Sequence, residues 1–236
     1  MTLFTNHWDY INNAERQREI NSCINRNIDN RFIDRVIIIG QSADRSNIRP
    51  SSKVVWEDID CSKYPYNRPT FRAYFDLANK YCSSPRDFSI ISNTDIYFDQ
   101  TLGLIKNAVL EKTCIALTRH EVYPHNPTAL QCAGASQDTW ILQGNIHIPT
   151  IIDWPMGIWA CDNRLCYELA NAGYRLINPC YSIKAHHLHR DYDVGDRGDF
   201  GGPNSPFGGA LLYGQWKKVP YAKLDDCNIS YDNTAN

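Results

Sequence analysis

Apolar and polar positions along the chain predict strands and helices that follow one another. The run Val36–Gly40, "VIIIG", is fully apolar and stops at a glycine, which is typical of a strand covered on both faces. Met1–Phe4 predicts a short first strand. From Ala14 a helical spacing places Ile20 and Ile24 on one face, so an amphipathic helix is expected between these two strands.

The same alternation continues through the middle of the chain. Further strands are predicted at Lys53–Ile59, in the apolar run that ends at Asn93, and at Thr113–Thr118; helices are predicted at Pro69–Cys82 and over 101–110. Strands that alternate with helices are the pattern of an α/β layered fold, with a mainly parallel central sheet flanked by helices.

The second half is less regular. Asp138–Gly144 is expected to be a strand, and a helix begins near Asp162 and stops at Gly173, a usual helix end. The segments 174–179 and 181–187 are expected to be extended. Residues 190–209 are rich in Gly and Asp, and loops of that length are usually either functional lids or disordered.

Composition narrows the class of protein. The formal net charge of −2 over 236 residues shows no massed Lys or Arg, so it does not favour nucleic-acid binding. The chain contains no run of about 18 apolar residues, so the sequence predicts no membrane-spanning helix. The nine cysteines are irregularly spaced, which favours reduced thiols and a cytoplasmic protein.

The triplet Asn93-Thr94-Asp95 interrupts an apolar run and marks the end of a predicted buried strand. Such a triplet is either a turn, since Asn and Asp are common turn formers, or a ligand site, since ligands of open α/β sheets bind beyond the carboxyl ends of strands. On the triplet alone, the turn is the better interpretation.

A second block changes that weighing. "CDNRLCYELANAGY" places Asp162, Leu165, Leu169 and Gly173-Tyr174 at the spacing of the "ED-x-x-L-x-x-R-L-x-x-x-G-Y" block of GT-A-fold glycosyltransferases. The chain resembles the inverting family 2 type of these enzymes. The resemblance covers roughly residues 1–190, which we therefore interpret as a GT-A-like domain, with 191–236 as a Gly-rich loop and C-terminal extension of it.

The resemblance implies roles for particular residues. Asp162 would be the general base, Asp95 would hold a divalent ion (Mn²⁺ or Mg²⁺), and a histidine of "AHHLH", for which we choose His187, would complete the metal shell. Asn79, Asn93 and Thr94 fall where the family contacts its donor, a nucleotide sugar. The chain departs from the family pattern at Asn93, Cys161 and Glu168.

Residue chemistry adds further candidates. Arg72 and Arg119 suit a diphosphate because a guanidinium bonds phosphate oxygens bidentately. Asp138 and Trp140 are two apart on a strand, and an aromatic ring beside a carboxylate suits a sugar acceptor, although a core Trp is equally expected.

We therefore expect a metal-dependent, inverting glycosyltransferase that moves a sugar from a nucleoside-diphosphate sugar to a hydroxyl-bearing acceptor. The stretch from Gly195 to Gly209 is expected to close over the donor. Two alternatives stay open. A nucleotidyltransferase of sugar-nucleotide type would usually carry a Gly-rich, Arg-containing loop after the first strand, and a non-catalytic carbohydrate-binding module would bind no nucleotide.

Overall fold

The computed structural model describes residues 1–9, 13–40, 45–64, 67–122, 127–130, 136–149, 152–158, 160–188 and 217–232. Three α-helices lie in these ranges: α1 (Ala14–Asp29), α2 (Phe71–Tyr81) and α3 (Cys161–Asn171). The strands are β1 (Thr2–Asn6), β2 (Arg35–Ile39), β3 (Val54–Glu57), β4 (Phe88–Ser92), β5 (Ile96–Phe98), β6 (Ala108–Val109), β7 (Thr113–Leu117), β8 (Arg119–Val122), β9 (Pro127–Leu130), β10 (Thr139–Gln143), β11 (Arg175–Ile177), β12 (Ala185–His187) and β13 (Ser230–Tyr231).

The main sheet of the described chain is large and mostly parallel, as the sequence predicts. Its strand order is β11-β7-β10-β4-β1-β2-β3. β10 runs antiparallel to both of its neighbours, whereas every other pairing in the sheet is parallel. The amino end of β10 therefore lies at the same edge as the carboxyl ends of β4 and β7.

Both faces of this sheet are covered, which explains its unbroken apolar runs. Successive side chains of a strand point to opposite faces, and Ile37 and Ile38 of β2 accordingly enter different core clusters. Ile20 and Ile24 of α1 pack on one face, while α2 and α3 pack on the other. The result is a helix–sheet–helix sandwich with two apolar cores.

A smaller sheet carries side chains toward one edge of the sandwich. Its order is β5-β12-β8-β9, with β12 antiparallel to β5 and parallel to β8. The register places His187 opposite Glu121 on one side and Ile96 on the other. A separate ribbon pairs β6 with β13.

The helices begin where local hydrogen bonds allow. The Asn13 side chain accepts the Arg16 amide at 2.9 Å and caps α1, a stabilisation worth about 1 kcal/mol. Thr70 caps α2, so Pro69 lies before the helix and not in its first turn. α3 follows Ala160, which adopts a left-handed conformation without a side-chain cap.

One predicted helix is wrong. Residues 101–110 form a short 3₁₀ segment, Gln100–Ile105, followed by strand β6. Gly103 packs against the Phe32 ring so closely that a Cβ there would lie 2.3 Å from it, and a glycine disfavours an α-helix by about 1 kcal/mol relative to alanine. The backbone after it pairs with β13 instead of continuing a helix.

Three further expectations concern the Gly-rich loop, membrane-spanning helices and the state of the cysteines. The stretch from Gly195 to Gly209 lies outside the described residues. No helix in the described ranges is long and apolar enough to cross a membrane. The cysteines within those ranges are free thiols, and nearly all of them are buried.

Gly40, at the carboxyl end of β2, is required by its surroundings. Its φ is +151°, and a Cβ there would lie 2.1 Å from the carbonyl oxygen of His7. Gly173 also has a positive φ, but a Cβ there would meet no atom within 4 Å.

We expect Gly40→Ala to lower the free energy of unfolding by more than about 2 kcal/mol, and Gly173→Ala by about 1 kcal/mol from backbone strain alone. Urea denaturation of both variants measures this, and equal losses would contradict the close approach at Gly40.

Candidate active site at the carboxyl edge of the sheet

Backbone hydrogen bonds bring three chain segments together at the carboxyl edge of the main sheet. The Asp138 amide donates to Leu117 at the end of β7, and the Asn93 amide donates to the Asp138 carbonyl, each at 3.0 Å. The Asn93 side chain also donates to Asp138 Oδ1 at 2.7 Å. The sequence candidates Asn93 and Asp138, distant along the chain, are thus direct neighbours because β10 is reversed.

Asp95 lies just beyond this edge, before β5. Its Oδ2 accepts hydrogen bonds from Arg16 of α1 and from His187 Nε2, the latter at 3.0 Å. Burial alone would raise the pKa of Asp95, but His187 and Arg16 hold it well below its usual range. Its other oxygen, Oδ1, is buried and has no hydrogen-bond partner among the described residues.

His187 links Asp95 to a second carboxylate. Its Nδ1 lies 2.5 Å from Glu121 Oε2. Burial disfavours the charged ring, but Asp95 and Glu121 raise the pKa of His187 to about 9. Burial would raise the pKa of Glu121, but His187 and Arg119 lower it to about 2. The imidazolium therefore lies between two carboxylates.

Arg119 closes the chain of contacts. Its Nε donates to Glu121 at 2.6 Å and its Nη1 to Asp138 Oδ1 at 3.0 Å. Arg16 Nη1 similarly donates to Glu19 at 3.0 Å. We call this set the charged cluster; it consists of Arg16, Glu19, Asp95, Arg119, Glu121, Asp138 and His187.

Asp162 stands near the cluster, in the first turn of α3. Its Oδ2 accepts the Gln137 amide at 3.0 Å, so it connects through one peptide unit to Asp138. Burial raises the pKa of Asp162 to about 6, against the Gln137 hydrogen bond and with a further contribution from Asp138. The cap residue of α3 is Ala160 and not Asp162. Burial raises the pKa of Asp162 even though the start of a helix, by itself, favours the ionised carboxylate.

A cavity opens at the same edge, beyond β1 and β2. Its volume is about 260 Å³, just below the roughly 300 Å³ of a small ligand pocket. One lining residue, Asn6, is linked to the charged cluster by a hydrogen bond: Thr94, the neighbour of Asp95, donates its hydroxyl to Asn6 Oδ1 at 2.6 Å. The lining includes Asn6, His7, Trp8, Asp9, Gly40, Cys61, Asn67 and Pro69.

A larger cavity of about 730 Å³ lies at the opposite edge, lined by Thr2, Arg35 and Phe88 at the amino ends of their strands. Ligands of open α/β sheets bind at the carboxyl ends of strands. The smaller cavity is therefore the better candidate for the substrate.

Several sequence candidates serve other roles in the structure. Trp140 is 1% exposed and packs edge-on against Phe71 in the core, so it offers no open platform for a sugar. The Asn79 side chain, in the last turn of α2, donates to the Ile146 carbonyl at 2.9 Å and accepts the Ile146 amide at 2.7 Å. Arg72 is half-exposed, and its Nε lies 3.6 Å from Asp153 Oδ1. Thr94 is buried.

The sequence pattern missed Arg16 and Glu121. Arg16 sits on the polar side of α1 by its spacing, where a solvated arginine is the ordinary expectation. Glu121 occupies a short strand of the second sheet. Only the pairing of β12 with β8 brings Glu121 to His187, and nothing in the local sequence encodes that pairing.

The predicted metal ligands fit a divalent ion in part. Asp95 fits, since Oδ1 is a buried oxygen without a partner in the described chain, and Mg²⁺ often takes only one or two carboxylates with phosphates in its other positions. His187 does not fit in this arrangement, because both ring nitrogens face carboxylates and a metal needs the lone pair of a neutral ring. Within the described ranges, no group of three or more His, Cys, Asp or Glu side chains is arranged to hold a metal.

Comparison with protein-family models and with curated proteins gives no match. Among solved structures, the crystal structure of HddC from Yersinia pseudotuberculosis is similar at a TM-score of 0.35 and 12% sequence identity. The similarity covers 60% of this chain and 76% of that chain. A TM-score this low supports no conclusion about activity, so the function has to be argued from the site.

We predict a pH-dependent stabilisation by His187. Its pKa is raised from an ordinary 6.5 to about 9, so its contribution is fully present below about pH 6.5 and is lost as the pH rises through about 9. His187→Gln should lower the free energy of unfolding by about 3 kcal/mol near pH 6, since it removes the positive charge that Asp95 and Glu121 share and leaves each with a single cationic partner, Arg16 or Arg119.

The difference from wild type should narrow near pH 10, where the wild-type ring is neutral. Urea denaturation across this range measures it. His147→Gln, at an exposed histidine, is the control and should show little difference at any pH. A His187→Gln deficit that is the same at both ends of the range would contradict the charged imidazolium.

Proposed function

We propose that this protein transfers a sugar from a nucleoside-diphosphate sugar to an acceptor hydroxyl. The observation that carries the proposal is the placement of Asp162, which lies in the first turn of α3, one peptide unit from Asp138 at the carboxyl edge of the sheet. Burial there raises its pKa to about 6. A general base works best when its pKa lies near the working pH, and an exposed aspartate, with a pKa near 3.9, is too weak a base. The hydrogen bond from Gln137 holds Oδ2 in place.

In the proposed reaction, the acceptor oxygen forms a bond to the anomeric carbon of the donor sugar while its proton passes to Asp162. The bond from the anomeric carbon to the diphosphate oxygen breaks, and its electron pair leaves with the nucleoside diphosphate. Attack opposite to the leaving group inverts the anomeric centre. Asp162 is then regenerated by losing its proton to solvent.

Two further features support a nucleotide-sugar donor. The cavity beside His7 and Trp8 offers aromatic side chains and a carboxylate, Asp9, at the edge where α/β proteins bind ligands. Oδ1 of Asp95, which is buried and has no hydrogen-bond partner in the part of the chain that the structure describes, would accept a hydrogen bond from a sugar hydroxyl or bind a cation. The resemblance of the Asp162 block to GT-A glycosyltransferases points the same way.

A divalent metal ion is part of the proposal, with one side chain as its protein ligand. Asp95 would hold it, and a bound divalent ion would neutralise negative charge on the departing diphosphate. Arg119 and Asn93 keep the Asp138 carboxylate oriented between them, which fixes the loop carrying the Gln137 amide and hence Asp162.

We expect UDP- or GDP-sugars to raise the melting temperature of the protein in buffer containing Mg²⁺. A ligand at a hundredfold excess over its dissociation constant stabilises the folded state by about 2.7 kcal/mol, which is about 5 to 10 °C for a chain of this size. Thermal-shift measurement with a panel of nucleotide sugars tests this. Free sugars at the same concentration are the control, and a panel without any shift would contradict the proposal.

Asp162→Asn should separate basicity from structure. The amide keeps an oxygen to accept the Gln137 N–H, so folding is preserved, while donor hydrolysis with water as acceptor should fall about a hundredfold or more. In the wild type, hydrolysis should rise with pH through about 6 as the carboxylate ionises. Release of nucleoside diphosphate measures both effects.

Stability should move in the opposite direction to activity. Because the folded-state pKa of Asp162 lies above its ordinary value, ionisation destabilises the fold as the pH rises from about 4 to 6. Asp162→Asn should therefore melt at or above the wild-type temperature at pH 8 and match it near pH 4. Asp76→Asn, at an exposed carboxylate of α2, is the control; an active Asp162→Asn protein would remove the base assignment.

A further inference from the structure

The first residues of α2, together with Pro69 just before it, are held to the segment before α3 by a ladder of backbone hydrogen bonds. The Arg72 amide donates to Ile152 at 3.2 Å and the Phe71 amide to Trp154 at 3.1 Å. The Met156 amide then donates to Pro69 at 3.4 Å. The two segments run antiparallel to each other. Pro69 lines the cavity, and residues 152–156 lead toward α3.

Arg68 continues this ladder with its side chain. Its Nη1 donates to the Gly157 carbonyl at 3.3 Å, and its guanidinium lies 5.2 Å from the centre of the Trp8 ring. Trp8 lines the cavity, as do Asn67 and Pro69 on either side of Arg68 in the chain. Arg68 therefore lies at the cavity mouth, between the cavity and the turn that leads into α3 and Asp162.

Gly157 is the residue that admits this arrangement. Its φ is +84°, and a Cβ there would lie 2.7 Å from Arg68 Nη1. A side chain at this position would push the guanidinium away from the Gly157 carbonyl. The position of Arg68 thus depends on Gly157, which directly follows the segment that pairs with the start of α2.

We infer that Arg68 binds the diphosphate of the donor, an inference that rests on the proposed function. A nucleoside diphosphate whose base enters the cavity and whose sugar faces Asp162 must pass its phosphates across the cavity mouth. Arginine is suited to this position because its planar guanidinium bonds phosphate oxygens bidentately and stays charged at every working pH. Arg72, the candidate chosen from sequence, instead lies beside Asp153.

Arg68 takes no proton part in the reaction. As the acceptor oxygen bonds to the anomeric carbon and gives its proton to Asp162, the electron pair of the breaking bond stays on the diphosphate oxygen. Arg68 donates hydrogen bonds to that diphosphate and keeps its own protons. Its contribution is therefore to donor affinity and to the charge that develops on the leaving group.

The test uses Arg68→Gln with Arg72→Gln as the matched control from the same ladder. Calorimetric titration compares the nucleoside diphosphate that stabilises the wild type with its unphosphorylated nucleoside, in constant Mg²⁺. Arg68→Gln should weaken binding of the diphosphate about 10- to 100-fold, the size expected for charge-assisted hydrogen bonds, and leave nucleoside affinity within about twofold. Arg72→Gln should change neither affinity.

Gly157→Ala provides a second probe that removes no charge. It should weaken diphosphate binding in the wild-type background, by displacing the guanidinium, and have little effect when Arg68 is already Gln. Because backbone strain at Gly157 is the same in both backgrounds, the difference isolates the contact with Arg68.

The outcomes are distinguishable. If the wild type binds nucleoside diphosphates and Arg68→Gln binds them equally well, the inference is wrong while the proposed function stands. If Arg68→Gln loses nucleoside and nucleoside diphosphate to the same extent, Arg68 shapes the cavity through Trp8 and does not bind phosphate, which also overturns the inference. A wild type that binds no nucleotide of the panel overturns both.

Discussion

The reversed strand β10 is the constraint on which the candidate site depends. Because it runs against β4 and β7, its amino end delivers Asp138 to the edge where those strands end. A parallel strand in the same position would present Gln143 there and send Asp138 to the opposite edge. The contacts of Asp138 with Asn93 and Arg119, and the hydrogen bond from Gln137 to Asp162, all follow from this one direction of travel.

The charged cluster has a different energetic character from the two apolar cores. Burying ions is costly, and their mutual attraction offsets the cost only when each charge is fully paired. The chain meets this condition by alternating signs from Arg16 to Asp95, His187, Glu121 and Arg119. Such an arrangement contributes orientation more than net stability, since the cost of burying each ion offsets much of its attraction to its neighbours.

Much of the fold could be predicted from the sequence because strands that are buried on both faces consist of consecutive apolar residues. Val36–Gly40 and Thr113–Thr118 are of this kind, and their strands lie where expected. Strand direction is not encoded in such a pattern, so the reversal of β10 could not be predicted. The sequence left open whether Trp140 is buried or binds a ligand, because both faces of its strand are covered and an aromatic residue in the core has the same sequence pattern as one that contacts a ligand.

The candidate site was predictable only where a residue is fixed by its own element. Asp162 begins a helix and Asp95 follows a strand, and both could be located from local sequence. Arg16 and Glu121 reach Asp95 and His187 through the packing of α1 and the pairing of the second sheet, which are long-range events. Sequence spacing carries no information about such contacts until the topology is known.

The buried cysteines of the described chain react slowly while the protein is folded. Burial raises the pKa of Cys166 to about 12 and that of Cys180 to about 11, so very little of either is present as the thiolate that reacts with alkylating agents. Cys161 and Cys166 stand on either side of Asp162 in α3. Their reactivity therefore reports the opening of the one helix that carries the proposed base, without any label having to be introduced.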